Sequence, residues 1–192
     1  PTTVCSGAPS TLTAISGTTG SVTVGTATTS IGGVNGNPYR SGNGTGNQIR
    51  TQLLYTVAEL TAAGVQPGPL SSIGFTTQSS SSGTVINLSI ALGSTNVTAL
   101  TSTFETSSVT TVFTQASFTP LSAGLNTHVF NAGSFIWDGV SNILVNVCQT
   151  NSITGTATVS AFTPSSSSNN HKAGSVTSCT DLTGGIVANK PI

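Results

Sequence analysis

Val85-Ile86-Asn87-Leu88-Ser89-Ile90-Ala91-Leu92 decides the fold class. Successive side chains of a strand point to opposite faces. With that period, Ile86, Leu88, Ile90 and Leu92 fall on one face and Val85, Asn87, Ser89 and Ala91 on the other. A surface helix would need apolar residues three and four apart. The stretch reads as a half-buried β-strand.

The pattern recurs in both directions. Downstream, residues 109–113 and 125–130 read as strands. Phe135-Ile136-Trp137 runs into the turn signal Asp138-Gly139. Residues 141–148 place Ile143, Val145 and Val147 on one face, and a strand over 154–162 precedes the polar stretch 165–170. Upstream, Ile73 and Phe75 alternate, residues 49–55 form a strand, and 11–15 and 22–24 read as two short ones. One helix interrupts the series. Thr56-Val57-Ala58-Glu59 is a capping box, Gly64 suits the left-handed residue after the helix, and Pro67 stops its resumption. Short strands separated by turn signals predict an all-β fold. The expectation is an antiparallel β-sandwich, jelly-roll-like, with one short helix near residues 56–63. Residues 1–30 read as an N-terminal β segment or arm able to donate a strand. Residues 31–47, with six Gly and four Asn, read as a loop or linker. Residues 48–192 read as the sandwich domain.

Charge is nearly missing. Only 4% of the 192 residues are charged and the net charge is zero, against ~25% charged residues in an ordinary soluble domain. Ser and Thr make up 64 residues, a third of the chain. With 35% hydrophobic residues this is no disordered composition. The absence of a basic patch argues against nucleic acid as a partner. No apolar run is long enough for a membrane-spanning helix. A chain without net charge lacks the repulsion that keeps soluble proteins apart, which points to neighbours of its own kind. Pro1 in place of Met reads as a processed or excised chain.

Three cysteines, Cys5, Cys148 and Cys179, have no metal-ligand spacing. We expect a Cys148–Cys179 disulfide in an oxidising compartment. Cys5 is then left over, either as an intermolecular bond or as a buried thiol. His128 reads as a strand residue, His171 as a solvated loop residue, Glu59 as a cap partner and Asp138 as a turn residue. None of these makes a nucleophile, acid–base pair or metal set, so no catalysis and no cofactor are expected. Trp137 reads as core. Tyr39, in the Gly/Asn loop, is the best exposed aromatic for a possible glycan contact.

Six phrases in order resemble a known module. They are Arg50-Thr-Gln-Leu-Leu-Tyr55, Ala58-Glu-Leu-Thr-Ala-Ala-Gly64, Leu70-Ser-Ser-Ile-Gly-Phe75, Asn126-Thr-His-Val-Phe130, Trp137-Asp-Gly139 and Val145-Asn-Val-Cys148. As a set they resemble a β-sandwich module of the large secreted cell-surface proteins of Bacteroidetes, adhesin-like substrates of type IX secretion. The resemblance implies extracellular, cell-surface residence and an adhesive or structural role, and carries no catalytic residues. It gives the expected function: a non-enzymatic building block of a surface adhesin or filament. Its partners would be further copies or neighbouring modules. The alternative is a carbohydrate-binding module for surface glycans.

Overall fold

A computed structural model describes residues 20–32, 36–39, 48–80, 83–150, 157–162, 169–173 and 179–192. The fold is all-β, antiparallel and sandwich-like, with a single short helix among the described residues.

The strands are β1 (Thr29–Ile31), β2 (Ile49–Tyr55), β3 (Gly68–Leu70), β4 (Ser72–Ser80), β5 (Val85–Thr95), β6 (Thr110–Phe118), β7 (Gly124–Val129), β8 (Phe135–Trp137), β9 (Asn142–Gln149), β10 (Ala157–Phe162), β11 (Asn169–Ala173), β12 (Gly185–Val187) and β13 (Lys190–Pro191). One sheet has the order β1-β10-β4-β7, with β13 also on β10. The other has the order β12-β11-β2-β9-β5-β6. β3 and β8 form a small third pair. The inner faces of the two large sheets meet in one core. Phe75 and Val159 come from the first sheet, and Leu53, Leu88, Ile90, Val145 and Val147 from the second. Such burial, at about 25 cal/mol per Å² of apolar surface, is the main favourable term of the fold.

The helix α1 (Val57–Ala62) forms for the reason its sequence announces. Thr56 accepts the Glu59 N–H, and the Glu59 carboxylate accepts the Thr56 N–H at 2.8 Å. At the other end Gly64 has φ +87°, and Val65 N–H closes on Leu60 O at 3.0 Å. That pattern satisfies carbonyls the helix leaves open.

Four expectations need correction. Residues 22–24 are described and form no strand; Val24 packs against the core from an irregular segment. The boundary at residue 30 falls inside β1, which pairs with β10 of its own chain through Ser30↔Ser160, so the sandwich starts before residue 48. Residues 1–19, including the expected strand at 11–15 and Cys5, lie outside the described residues. The polar stretch continues into β11, seated between β2 and β12, so the His171 backbone belongs to a sheet and not to a loop. The alternation of β5 also breaks. Asn87 has φ +51°, and Val85 joins Leu88 and Ile90 in the core while Ile86 turns outward. A left-handed residue rotates the strand, and Asn tolerates that conformation better than most.

Residues 190–192 join the first sheet. β4 shifts register against β10 between Thr158 and Val159. Beyond the shift β13 pairs with β10 at Ala161↔Pro191, and Thr76 N–H donates to Ile192 O at 2.8 Å. The C-terminal residues thus fill the wedge where two strands part.

Cys148 and Cys179 form the expected disulfide, which ties β9 to the segment leading into β12. Arg50 reinforces the tie. Its Nη1 donates to Asp181 O at 2.6 Å and its guanidinium lies 4.4 Å from the Phe104 ring centre. Reducing the disulfide, or Cys148→Ser with Cys179→Ser, is expected to lower stability by about 3–4 kcal/mol through loop entropy alone. Urea unfolding with and without reductant measures it.

Candidate functional site

Several polar side chains are spent inside the fold. His128 lies on β7 and points into the core, 1% exposed. Its ring sits 4.8 Å from that of Phe113 and 4.9 Å from that of Phe118. Its Nε2 shares a 2.8 Å hydrogen bond with the Tyr39 hydroxyl. Burial pushes His128 down to about 4 and Tyr39 well above its ordinary value. The pair is a neutral, aromatic-walled hydrogen bond with neither partner ready to move a proton near neutrality.

Tyr39 is therefore not the exposed loop aromatic the sequence suggested; it is 1% exposed. The cause is local. Asn37 accepts the Tyr39 N–H at 2.9 Å and donates to Ile31 O, and Gln149 donates to Pro38 O at 3.2 Å. With its backbone thus satisfied, the segment 36–39 can enter the core and cap it with a ring. A buried ring offers no platform to a sugar. Trp137, at 1% exposure, donates its indole N–H to Ser141 O, and the Tyr55 hydroxyl reaches Pro191 O.

Sequence reasoning missed Lys190. Its ammonium is fully buried, donating to Leu54 O at 2.7 Å and to both Glu59 oxygens at 2.7 and 2.9 Å. It also lies 4.4 Å from the Tyr55 ring centre. Glu59 thus caps α1 and holds the C-terminal strand at once. A shallow groove beside α1 is lined by Thr23, Thr26, Ala62 and Glu59, and this same carboxylate is its charged group. Asp138 closes its turn by accepting the Val140 and Ser141 N–H groups, as expected. Among the described residues no cluster of three His, Cys, Asp or Glu side chains forms, and no helix is long and apolar enough to cross a membrane.

What stays open is a sheet edge. β6 and β7 are both terminal in their sheets. Natural sandwiches guard edges with Lys, Pro or bulges. β6 is guarded by amides. The Asn131 carboxamide accepts from Thr114 N–H and donates to Thr114 O, both at 2.9 Å, as a neighbouring strand would. Asn131 and Ala132 N–H groups both take Val112 O, and the Gln115 amide takes Ser117 O. In β7, Gly-Leu-Asn-Thr-His-Val, side chains reach only the Gly124 carbonyl at its start; the backbone groups of Leu125, Thr127 and Val129 carry no such cover among the described residues, and the strand contains no Lys, Pro, Asp or Glu. Its outward side chains include Leu125, 51% exposed, and Val129, 65% exposed, with Leu121 exposed nearby. This unguarded apolar edge is the candidate site. Alternation in 125–130 made the strand legible, but its place at an edge follows only from sheet order.

Burial of His128 makes stability depend on acid. The unfolded imidazole titrates near ~6.5. Above that pH neither state binds the proton, and stability is full. Below it the unfolded chain binds first, so stability falls as pH drops to about 4, where the folded group also titrates. The total loss is roughly 3 kcal/mol. Urea unfolding between pH 7 and 4 is expected to show this slope, and His128→Gln to flatten it. No family model, no curated protein and no solved structure matches this chain.

Proposed function

We propose that the protein is a non-enzymatic, extracellular β-sandwich with a structural or adhesive role, a unit of a surface adhesin or filament that associates with its own kind through a sheet edge. One observation carries the reading. β7 presents apolar residues at the rim of a sheet, with no strand on its outward backbone groups among the described residues, while the Asn131 amide occupies β6 at Thr114. Exposed strand edges add strands from other chains. The near absence of charge supports it, since copies meet without repulsion. The disulfide fits an oxidising compartment, and the six phrases that resemble a cell-surface module fit the same habitat. Glycan recognition has lost its residue, because Tyr39 is packed inside.

Sedimentation velocity at 0.1 and 1 M NaCl tests the reading. Association is expected and is expected to persist at high salt, because its contacts are apolar and backbone in kind. A strictly monomeric protein at every concentration would refute it. Leu125→Lys places a charge on the rim and is expected to weaken association at least about tenfold.

A further inference from the structure

The partner and the register of the open edge follow from its geometry, given that the chain self-associates as proposed above. Phe130 N–H donates to Ser71 O at 2.9 Å, and β7 continues the same ladder through Ile73↔His128 and Phe75↔Asn126. In an antiparallel ladder the backbone groups of alternate residues turn to opposite sides. Asn126, His128 and Phe130 therefore direct N–H and C=O toward β4. Leu125, Thr127 and Val129 direct theirs outward, where no strand pairs with them among the described residues. Their side chains lie on the solvent face of the sheet.

That strip, Leu-x-Thr-x-Val, reads as apolar, hydroxyl, apolar in both directions. A strip with this symmetry is complementary to itself when turned around. We infer that β7 pairs antiparallel with β7 of a second copy about a two-fold axis at Thr127, with Leu125 opposite Val129. Each of these pairs exchanges both backbone hydrogen bonds. Leu125 of one copy lies beside Val129 of the other, an apolar cross-strand contact of the kind that stabilises sheets. Thr127 meets Thr127, hydroxyl beside hydroxyl. The strip holds no charge, so two copies of it meet without charge repulsion between the strips.

Such a contact is isologous, and isologous contacts close after one addition. The product is a dimer with one sheet running through both copies. A filament needs a further contact elsewhere. β6 does not supply it, because Asn131 occupies the Thr114 backbone. β1 and β12 have three residues each. An edge of this length buries little area, which places the dimer in the weak class of interfaces, with Kd on the order of micromolar.

The test uses the full chain carrying Cys5→Ser, with Thr127→Cys in one version and Thr114→Cys in another. In a glutathione redox buffer the Thr127 variant is expected to form a covalent dimer on a non-reducing gel, and the Thr114 variant to stay monomeric. A melting curve checks that each variant folds. A charge swap fixes the register without any new cysteine. Leu125→Lys and Val129→Glu are each expected to weaken dimerisation, and an equimolar mixture to restore it, because one introduced ammonium then faces one introduced carboxylate. Dimers in sedimentation without a Thr127 cross-link, or without rescue in the mixture, would overturn this pairing and leave the assembly reading standing. Cross-linking at Thr114 instead would move the interface to β6. Monomers throughout would defeat the assembly reading itself.

Discussion

Every buried backbone N–H and C=O needs a partner, and in this chain side-chain amides meet the need that strands leave over. The Gln52 carboxamide holds both the N–H and the C=O of Glu105, at 2.8 Å each. Asn142 accepts from Val57 N–H and donates to Val97 O, joining the start of α1 to the end of β5. Asn126 accepts from Leu121 N–H and donates to Phe75 O and Gly124 O. Asn131 closes β6, and Asn37 lets Tyr39 enter the core. An amide has donor and acceptor side by side, so it copies a peptide group without bringing a charge that must be desolvated. The sandwich uses this device at several strand ends.

Two of the few charged residues, Arg50 and Lys190, are buried. Lys190 and Glu59 form a pair that links the helix cap to the last strand, and Lys190 adds contact with the Tyr55 ring. Burying an ion pair costs desolvation that its attraction only partly repays. Its value is therefore better read as position. It fixes where the C-terminal strand docks, and so closes the wedge between β4 and β10. The outer face of β7 carries hydroxyl and apolar groups, Leu125, Thr127 and Val129. At β7 the outward backbone groups of Leu125, Thr127 and Val129 meet no amide and no charge among the described residues.

Local rules carried far in the sequence. β2 follows the alternation over residues 49–55, α1 follows Thr56, Glu59 and Gly64, and the turn after β8 follows Asp138-Gly139. The disulfide followed from the count and context of the cysteines. β11 was illegible because Asn-Asn-His-Lys-Ala has no alternation; pairing on both sides makes it a strand. Tyr39 was misread because Gly and Asn around it signal a loop, and nothing local says that a loop folds inward.

The sequence by itself determined an all-β, antiparallel fold with one capped helix, since period, caps and turns act between residues close in the chain. Only the tertiary structure decided which strands lie at an edge and which side chains cover them. Asn131 guards Thr114 and Lys190 finds Glu59 across long stretches of chain, and pairs so far apart in sequence meet only when the sheets are assembled. The open rim at β7 is a property of sheet order, which no stretch of residues encodes alone.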